Sequence, residues 1–303
     1  MAFRVRSPEL KTPPADQTPN SAPRPVRSRA IGALLVDAGR LTQADVEEIE
    51  AHADKNGLRF GDAALQLNKV SPGDIESALA RQFNYTLLPH GAQDGVSDAV
   101  IAAYEPQADV VEDLRTIRSR LALGWLNDTT RNVLAITSPQ RGEGRSWFAA
   151  NLATVFAQAG ERTLLIDADM RHPQQHQLFN LKNDVGLSAL LTGRAGREIV
   201  QRVHPQLRLF VVTAGLMAPN PLELLTREVF DFVLERYASQ FDLVVLDTPA
   251  ATDSSDAEIL AARAGAAILL TRRHNTHRRK LLEAMACLQR SGAKVIGSVV
   301  NEY

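Results

Sequence analysis

The sequence predicts an α/β domain, with a mostly parallel sheet covered by helices on both faces, preceded by a small all-helical module. Three observations predict this organisation. From about residue 107 onward, short apolar runs alternate with helical patterns, which is the order of parallel strands joined by crossover helices. Residues 29–90 contain an internal repeat made of helical patterns alone. Residues 1–28 are rich in proline and poor in hydrophobic side chains, which predicts a disordered tail.

Composition sets the class of protein. The chain has 303 residues, 45% hydrophobic and 23% charged, which is ordinary for a soluble globular protein. A net charge of −1 gives no overall attraction to nucleic acid or anionic lipid. A single cysteine, Cys287, excludes a disulfide within the chain. Because no apolar run reaches the roughly 18–20 residues that span a bilayer, we expect a cytoplasmic protein that meets the membrane only through a partner.

The helical module repeats at an offset of 29 residues. Ile31-Gly32 aligns with Phe60-Gly61 at that offset, and each unit is a short helical piece, a turn and a second helix. Thr42 and Asp45 have the spacing of a capping box at the start of one second helix. Ser71 stands before Pro72 at the start of the other.

Residues 91–106 contain glycine and proline and predict a linker with one helical turn. Residues 108–122 predict an amphipathic helix at the start of the α/β domain, which extends over 107–303. Three charged residues of this helix, Glu112, Arg115 and Arg118, are spaced three apart and therefore share one face.

The remaining pattern predicts six strands and four further helices. The strands are expected at 133–137, 163–167, 208–212, 242–247, 266–271 and 294–300. The helices are expected at 146–159, 220–238, 255–263 and 276–291.

A glycine-bearing loop follows the first strand. Gly142 and Gly144 allow close approach of a ligand to the backbone, and the helix that starts near Ser146 directs its free N–H groups into the loop. This is an arrangement that holds polyphosphates. Against the pattern G-x-x-x-x-G-K-[ST], Gly144 and Ser146 match, whereas Pro139 replaces the first glycine and Arg145 replaces the lysine.

Carboxylates follow two other apolar strands. The strand at 163–167 ends in Asp167, with Asp169 close behind, and the strand at 242–247 ends in Asp247. Parallel strands bring their carboxyl ends to one edge of the sheet, where α/β proteins bind ligands. The loop and the aspartates together predict a magnesium–nucleotide site.

These motifs resemble those of the bacterial tyrosine kinases that accompany polysaccharide chain-length determinants. The resemblance covers about residues 107–303. Besides the loop, it rests on D-x-D-x-R at Asp167 to Arg171, on Asp247-Thr248-Pro249, and on E-x-x-R-x-x-R at Glu112 to Arg118. Ala250 stands where the family has a second proline.

The resemblance implies roles for the site residues. ATP is expected to bind Gly142, Glu143, Gly144, Arg145, Ser146, Trp147, Arg171 and Asn301. Mg²⁺ is expected at Ser146, Asp167 and Asp247. Asp167 would be the base, Asp169 would support the base or the metal, and Arg145 would neutralise phosphate oxygens. Arg171 would contact phosphate or a neighbouring subunit, and Asn301 would contact adenine.

The resemblance also implies partners. Glu112, Arg115 and Arg118 would mediate contacts between subunits of a homo-oligomer. Tyr303 is the expected phosphoacceptor. A separate membrane-spanning chain-length determinant would be the partner, and the activity would regulate the length or export of an exopolysaccharide.

The helical module resembles the N-terminal domain of secretion and pilus-assembly ATPases, some of which bind cyclic di-GMP. Arg59-Phe60-Gly61 and Gln82 match one copy of the ligand motif. Asn68 replaces a glycine in this same copy, and in the other copy Ala30 replaces the arginine and Ala53 the glutamine. Docking of a protein is therefore the preferred interpretation, with cyclic di-GMP as the alternative.

Two further hypotheses stay open. One is a nucleotide-switched positioning ATPase of the partitioning and cell-division kind, favoured by the basic run at 272–280. Such proteins carry a lysine where this chain has Gln140, and the D-x-D-x-R motif favours the kinase. The other is a catalytically weak regulator that senses ATP, favoured by Arg145 and by the scattered tyrosines.

Overall fold

The computed structural model describes residues 31–82, 88, 95–127 and 132–302. The chain divides into two compact units between Ile75 and Glu76, within a helix and before residue 90, where the helical module was expected to end. The predicted tail (1–28) and Tyr303 lie outside the described residues. Among the described helices, none has the length and apolar character needed to cross a bilayer.

The first unit is helical and repeats as expected. Its helices are α1 (Ile31–Asp37), α2 (Gln43–Asn56), α3 (Phe60–Gln66) and α4 (Pro72–Gln82), the last of which continues across the division. The starts of α1 and α3, and those of α2 and α4, are each 29 residues apart, which confirms the repeat.

The two repeats also share their turn chemistry. Thr42 and Asp45 form a complete capping box, with the Asp45 N–H donating to Thr42 Oγ1 at 3.2 Å and the Thr42 N–H donating to Asp45 Oδ2 at 2.9 Å. Ser71 and Asp74 make the same pair of bonds at 3.2 and 3.0 Å. Gly39 and its counterpart Asn68 are both left-handed, with φ of 67° and 52°. Asparagine is one of the few other residues that tolerate this conformation, which explains the substitution.

The second unit contains a seven-stranded sheet in the order β3-β4-β2-β5-β1-β6-β7. The strands are β1 (Val133–Thr137), β2 (Thr163–Asp167), β3 (Val200–Arg202), β4 (Leu209–Val212), β5 (Leu243–Asp247), β6 (Ala266–Arg272) and β7 (Lys294–Asn301). Of these seven strands, β3 alone is antiparallel to its neighbour. It was not predicted, because a strand of three residues is too short to give a recognisable pattern.

Helices cover both faces of this sheet. They are α5 (Asp109–Leu123), α6 (Arg145–Gln158), α7 (Gln175–Leu178), α8 (Leu187–Leu191), α9 (Pro221–Thr226), α10 (Glu228–Ala238), α11 (Asp256–Ala264) and α12 (Arg278–Arg290). Successive residues of β2 belong to different hydrophobic clusters: Leu165 packs in the cluster that contains Phe156 of α6, and Leu164 in the cluster that contains Phe230 of α10. The α/β fold class with helices on both faces is therefore confirmed.

Two expectations differ from the structure. The single helix expected at 220–238 is interrupted at Arg227, which is extended at φ −70° and ψ 146°, and this lets α9 and α10 bury their apolar residues as separate helices. The segment expected to be a linker is packed over 95–106. Its Val100 and Ala102 are fully buried, and the Ala102 backbone exchanges hydrogen bonds with Asn151 and Gln158 of α6. Polar side chains of α6 satisfy this irregular backbone, a pairing that local sequence does not reveal.

The strand register places the two aspartates beside the glycine loop. Asp167, the last residue of β2, is paired with Asp247, the last residue of β5, and Asp247 is in turn paired with Ile136 of β1. The glycine loop that follows β1 therefore stands next to both carboxylates.

Candidate active site

The loop between β1 and α6 has the backbone that a phosphate site requires. Gly142 and Gly144 both have positive φ, 77° and 91°, which residues with a Cβ rarely adopt. Gly144 directly precedes α6, so the free N–H groups of the first helical turn open toward the loop.

Glu143 is buried within this loop and holds it from inside. Its Oε2 accepts the backbone N–H of Gln140 at 2.8 Å, and its Oε1 accepts the hydroxyl of Thr276. Its carbonyl accepts the side-chain amide of Asn301 at 3.2 Å. The end of β7 is thereby attached to the loop, which places Asn301 at the site.

Asp167 and Asp247 are fully buried side by side. Oδ2 of Asp167 accepts the backbone N–H groups of Gln174 and Gln175 at 3.0 and 2.9 Å. Oδ2 of Asp247 accepts the side-chain amide of Gln175 at 2.7 Å. Within the described part of the chain, Oδ1 of each carboxylate is buried without a hydrogen-bond partner. Each carboxylate therefore keeps one oxygen for a ligand.

The electrostatics of the pair agree with that conclusion. Burial raises the pKa of Asp167 well above its ordinary value, and the neighbouring Asp247 raises it further. Burial raises the pKa of Asp247 to about 6, against the opposing influence of Arg145, Gln175 and Ser146. Two adjacent buried carboxylates are costly to ionise together, and a bound cation removes that cost.

The donor set fits Mg²⁺. The unpartnered oxygens of Asp167 and Asp247 are hard oxygen ligands, and the hydroxyl of Ser146, which lowers the pKa of Asp247, is another. In the described part of the chain, no group of three or more histidine, cysteine or carboxylate side chains forms a metal cluster. Mg²⁺ ordinarily binds through one or two carboxylates together with substrate phosphates, so this sparse set suits a metal that arrives with a nucleotide.

Arg145 is bonded within the protein. Its Nε donates to the carbonyl of Thr248 at 2.9 Å, and its Nη1 donates to Ser138 Oγ and to the carbonyl of Gln140 at 2.6 and 3.0 Å. Its Nη2 lies 3.7 Å from Asp169 Oδ2. The side chain is 8% exposed and joins the loop to the ends of β2 and β5. The guanidinium of Arg145 is thus bonded to protein acceptors. It is not extended into the loop to receive a phosphate.

Asp169 and Arg171 are likewise occupied. Asp169 Oδ1 accepts the backbone N–H groups of Arg171 and His172 at 3.3 and 3.0 Å, which fixes the turn after β2. Arg171 Nε donates to Asp256 Oδ2 at 2.8 Å at the start of α11. Asp169 therefore supports Arg145 and the turn, while Arg171 ties that turn to α11.

Trp147 and Asn301 line one cavity beside the loop. The cavity measures about 810 Å³ and lies between α5, the start of α6 and the end of β7. Its walls include the apolar residues Leu114, Phe148 and Val299. Its size is that of a small-molecule site.

Two of the three charged residues of α5 contact each other, and the third contacts α6. Arg115 Nη1 donates to Glu112 Oε2 at 3.0 Å, and Arg118 Nη1 donates to the carbonyl of Val155 in α6 at 3.3 Å. Arg118 thus contributes to packing within the subunit.

Sequence reasoning missed Gln175, which contacts both carboxylates, and Ser138 and Thr248, which hold Arg145. Thr248 stood in a recognised motif, but its role is made by its backbone carbonyl. Nothing in the sequence distinguishes Gln175 from Gln174 and Gln177.

A strand, a glycine loop, a helix and two buried carboxylates at adjacent strand ends define a P-loop nucleotide-binding domain. The model of the CobQ/CobB/MinD/ParA nucleotide binding domain matches residues 134–302. Tyrosine-protein kinase YwqD of Bacillus subtilis is 36% identical over 202 residues, which are 67% of this chain and 85% of that protein. The chain belongs to this nucleotide-binding family and, within it, to the bacterial tyrosine kinases.

Two further similarities agree. The putative tyrosine-protein kinase EpsB of Ralstonia solanacearum is 38% identical over 204 residues, which are 67% of this chain and only 27% of that protein. The solved kinase domain of Escherichia coli tyrosine kinase ETK has a TM-score of 0.66 at 27% identity and covers 72% of this chain and 89% of that domain. The predicted resemblance of the α/β domain to the bacterial tyrosine kinases is confirmed.

Proposed function

We propose that this chain is an ATP- and Mg²⁺-dependent protein-tyrosine kinase that phosphorylates tyrosine in other copies of the same chain. One observation carries the proposal: Asp167 and Asp247 are buried beside a glycine loop, and each has one unpartnered oxygen. The similarity to YwqD and ETK, which are named tyrosine kinases, supports tyrosine as the acceptor.

In this proposal the chain positions reactants and moves one proton. Backbone N–H groups from Gly142 to Ser146 hold the phosphates. The tyrosine oxygen bonds to the γ-phosphorus, the bond from that phosphorus to the β–γ bridging oxygen breaks, and ADP leaves. The phenolic proton passes to Asp167, which the motif resemblance makes the base.

Ser146, Asp167 and Asp247 would hold Mg²⁺, which supplies neutralisation of charge on the phosphate oxygens. Asp169 supports these groups by fixing the turn after β2. Trp147 and Asn301 would contact the adenine, since both line the cavity beside the loop. Arg145 must leave at least one protein acceptor to reach a phosphate, so we expect slow transfer.

The wider role in the proposal rests on the motif resemblance. The kinase would act at the cytoplasmic face of the membrane with a membrane-spanning chain-length determinant and regulate the length or export of an exopolysaccharide. Glu112, Arg115 and Arg118 would contact the next subunit of a homo-oligomer. The helical module would dock a protein partner, with cyclic di-GMP as the alternative ligand.

The test is intact-mass spectrometry of the purified chain after incubation with Mg-ATP, beside an Asp167→Asn variant. We expect added phosphate in the wild type alone, with peptide mapping that places it on Tyr303. Equal phosphate on both proteins would exclude the assigned base. Phosphate found only on other residues would exclude Tyr303 as the acceptor.

A second candidate, a regulator that senses ATP without transferring phosphate, is favoured by the contacts of Arg145. Binding of ATP with no added mass, even when the cytoplasmic segment of the determinant is present, would support it. The positioning ATPase is favoured by the family match and by exposed Arg278 and Arg279 on α12. Non-specific DNA binding that weakens steeply with added salt would support the positioning ATPase.

A further inference from the structure

Gln175, at the start of α7, is fully buried and contacts three parts of the candidate site. Its backbone N–H donates to Asp167 Oδ2 at 2.9 Å. Its side-chain Nε2 donates to Asp247 Oδ2 at 2.7 Å and to the carbonyl of Ser146 at 3.0 Å. One residue thus connects the ends of β2 and β5 with the first turn of α6.

These contacts select which oxygen of each carboxylate remains open. Both carboxylates use Oδ2 to bond Gln175, and Oδ1 of both stays buried and unpartnered. The orientation of the amide is fixed, because the two groups that face Nε2 are both acceptors. Oε1 is therefore directed away from them, and it too is buried without a hydrogen-bond partner among the residues that the structure describes.

The neutral charge of the Gln175 side chain also suits contact with two carboxylates. A carboxylate at position 175 would add a third negative charge to a pair whose ionisation is already costly. An apolar side chain would leave Asp247 Oδ2 without its donor. A neutral amide orients the pair at no electrostatic cost and presents one more oxygen.

We propose that Gln175 is a positioning residue that orients Asp167 and Asp247 so that their Oδ1 atoms receive the divalent cation. Groups that orient metal-binding side chains typically change metal affinity by about 10- to 100-fold when they are removed.

This inference rests on the proposed function, and the experiment separates the two. The probe is Mn²⁺, whose binding is followed by electron paramagnetic resonance at saturating ADP. Separately, ADP affinity is measured by calorimetry in the presence of EDTA. The variant is Gln175→Met, which keeps the length of the side chain and removes both amide groups.

The matched control is Gln177→Met, a change of the same kind at an exposed position of the same short helix. We expect Gln175→Met to weaken Mn²⁺ binding by about 10- to 100-fold. ADP affinity in EDTA should change by less than about threefold, because backbone N–H groups hold the phosphates, whereas Gln175 contacts this segment only at the carbonyl of Ser146. The control should match the wild type in both measurements.

Unchanged Mn²⁺ affinity in Gln175→Met would overturn the inference and leave the proposed function standing. Equal weakening of ADP in EDTA would also overturn it, since that pattern indicates a distorted loop. A wild-type chain that binds no Mn²⁺ with ADP would overturn both. If Gln175→Met does not fold, Gln175→Asn carries the same test, because its amide is one methylene short of Asp247.

Discussion

On one side of the candidate site, Asp167 and Asp247 are fully buried, and each leaves an oxygen without a partner. On the other side, Arg145 is nearly as buried, but protein acceptors engage its guanidinium on three of its nitrogens. A buried charge is costly unless it is paired and hydrogen-bonded. The carboxylate side therefore leaves two buried oxygens open to a ligand, whereas the arginine side is already complete within the chain.

Replacing Asp247 by asparagine gives the largest effect that this comparison predicts. We expect Mg-ATP-dependent transfer to fall by more than about 100-fold, because the cation loses a charged ligand. The metal-free protein should at the same time become more stable, since an amide is cheaper to bury than an ionised carboxylate. Transfer assays and thermal melting in EDTA measure the two effects.

The control for this change is Asp184→Asn, an exposed carboxylate for which we expect neither effect. Loss of stability in Asp247→Asn would contradict the view that the carboxylate is strained without its cation.

Arg145 should behave in the opposite way. Arg145→Met should destabilise the metal-free protein by about 3 kcal/mol, because Asp169 loses its buried counter-charge and the Thr248 carbonyl loses its donor. Arg145→Lys retains the charge, frees a cation that reaches phosphate as a point charge, and should raise transfer by roughly tenfold. Denaturant unfolding and initial rates distinguish the two variants.

A stable Arg145→Met protein would remove the contrast between the two sides of the site. Transfer that falls in Arg145→Lys would show instead that arginine is the better phosphate ligand in this loop.

A pH series sharpens the comparison with a smaller effect. The pKa of Asp247 is about 6 in the folded chain, against 3.8 as its ordinary value. A carboxyl group whose folded pKa is raised binds protons more tightly in the folded state, so its contribution to stability is lost as pH rises from about 4 to about 6. In EDTA, the wild type should therefore lose about 2 kcal/mol relative to Asp247→Asn across that window.

Saturating Mg-ADP should remove this difference, because the cation then holds the ionised carboxylate. Parallel pH curves for the two proteins in EDTA would exclude a raised pKa at Asp247.

The smallest effect is expected at Arg171, whose partner is Asp256. Arg171→Ala should cost about 1 kcal/mol in stability, as is usual for a partly exposed ion pair. It should change the nucleotide affinity of the isolated subunit by less than about threefold, since the guanidinium is directed to α11. Calorimetry with Mg-ADP checks this. A tenfold loss would place Arg171 on the phosphate instead.

Local patterns predicted the strands well and the helix ends less well. β1 and β2 have the predicted bounds, because apolar runs between turn residues define a buried strand. The break at Arg227 was not predicted, since the apolar period continues through it. The segment at 95–106 is packed although its glycine and proline predict a linker, because α6 buries its short apolar residues, and that contact has no local pattern.

The sequence by itself determined the order of elements, the 29-residue repeat and the gathering of the glycine loop, Asp167 and Asp247 at one edge of the sheet. These follow from period, from turn chemistry and from the parallel direction of the strands. Only the tertiary structure decided that Arg145 bonds Thr248, that Arg171 bonds Asp256 and that Gln175 bonds both carboxylates. Such contacts join side chains to partners on other elements, and the direction of a side chain across a packed fold is absent from any local pattern.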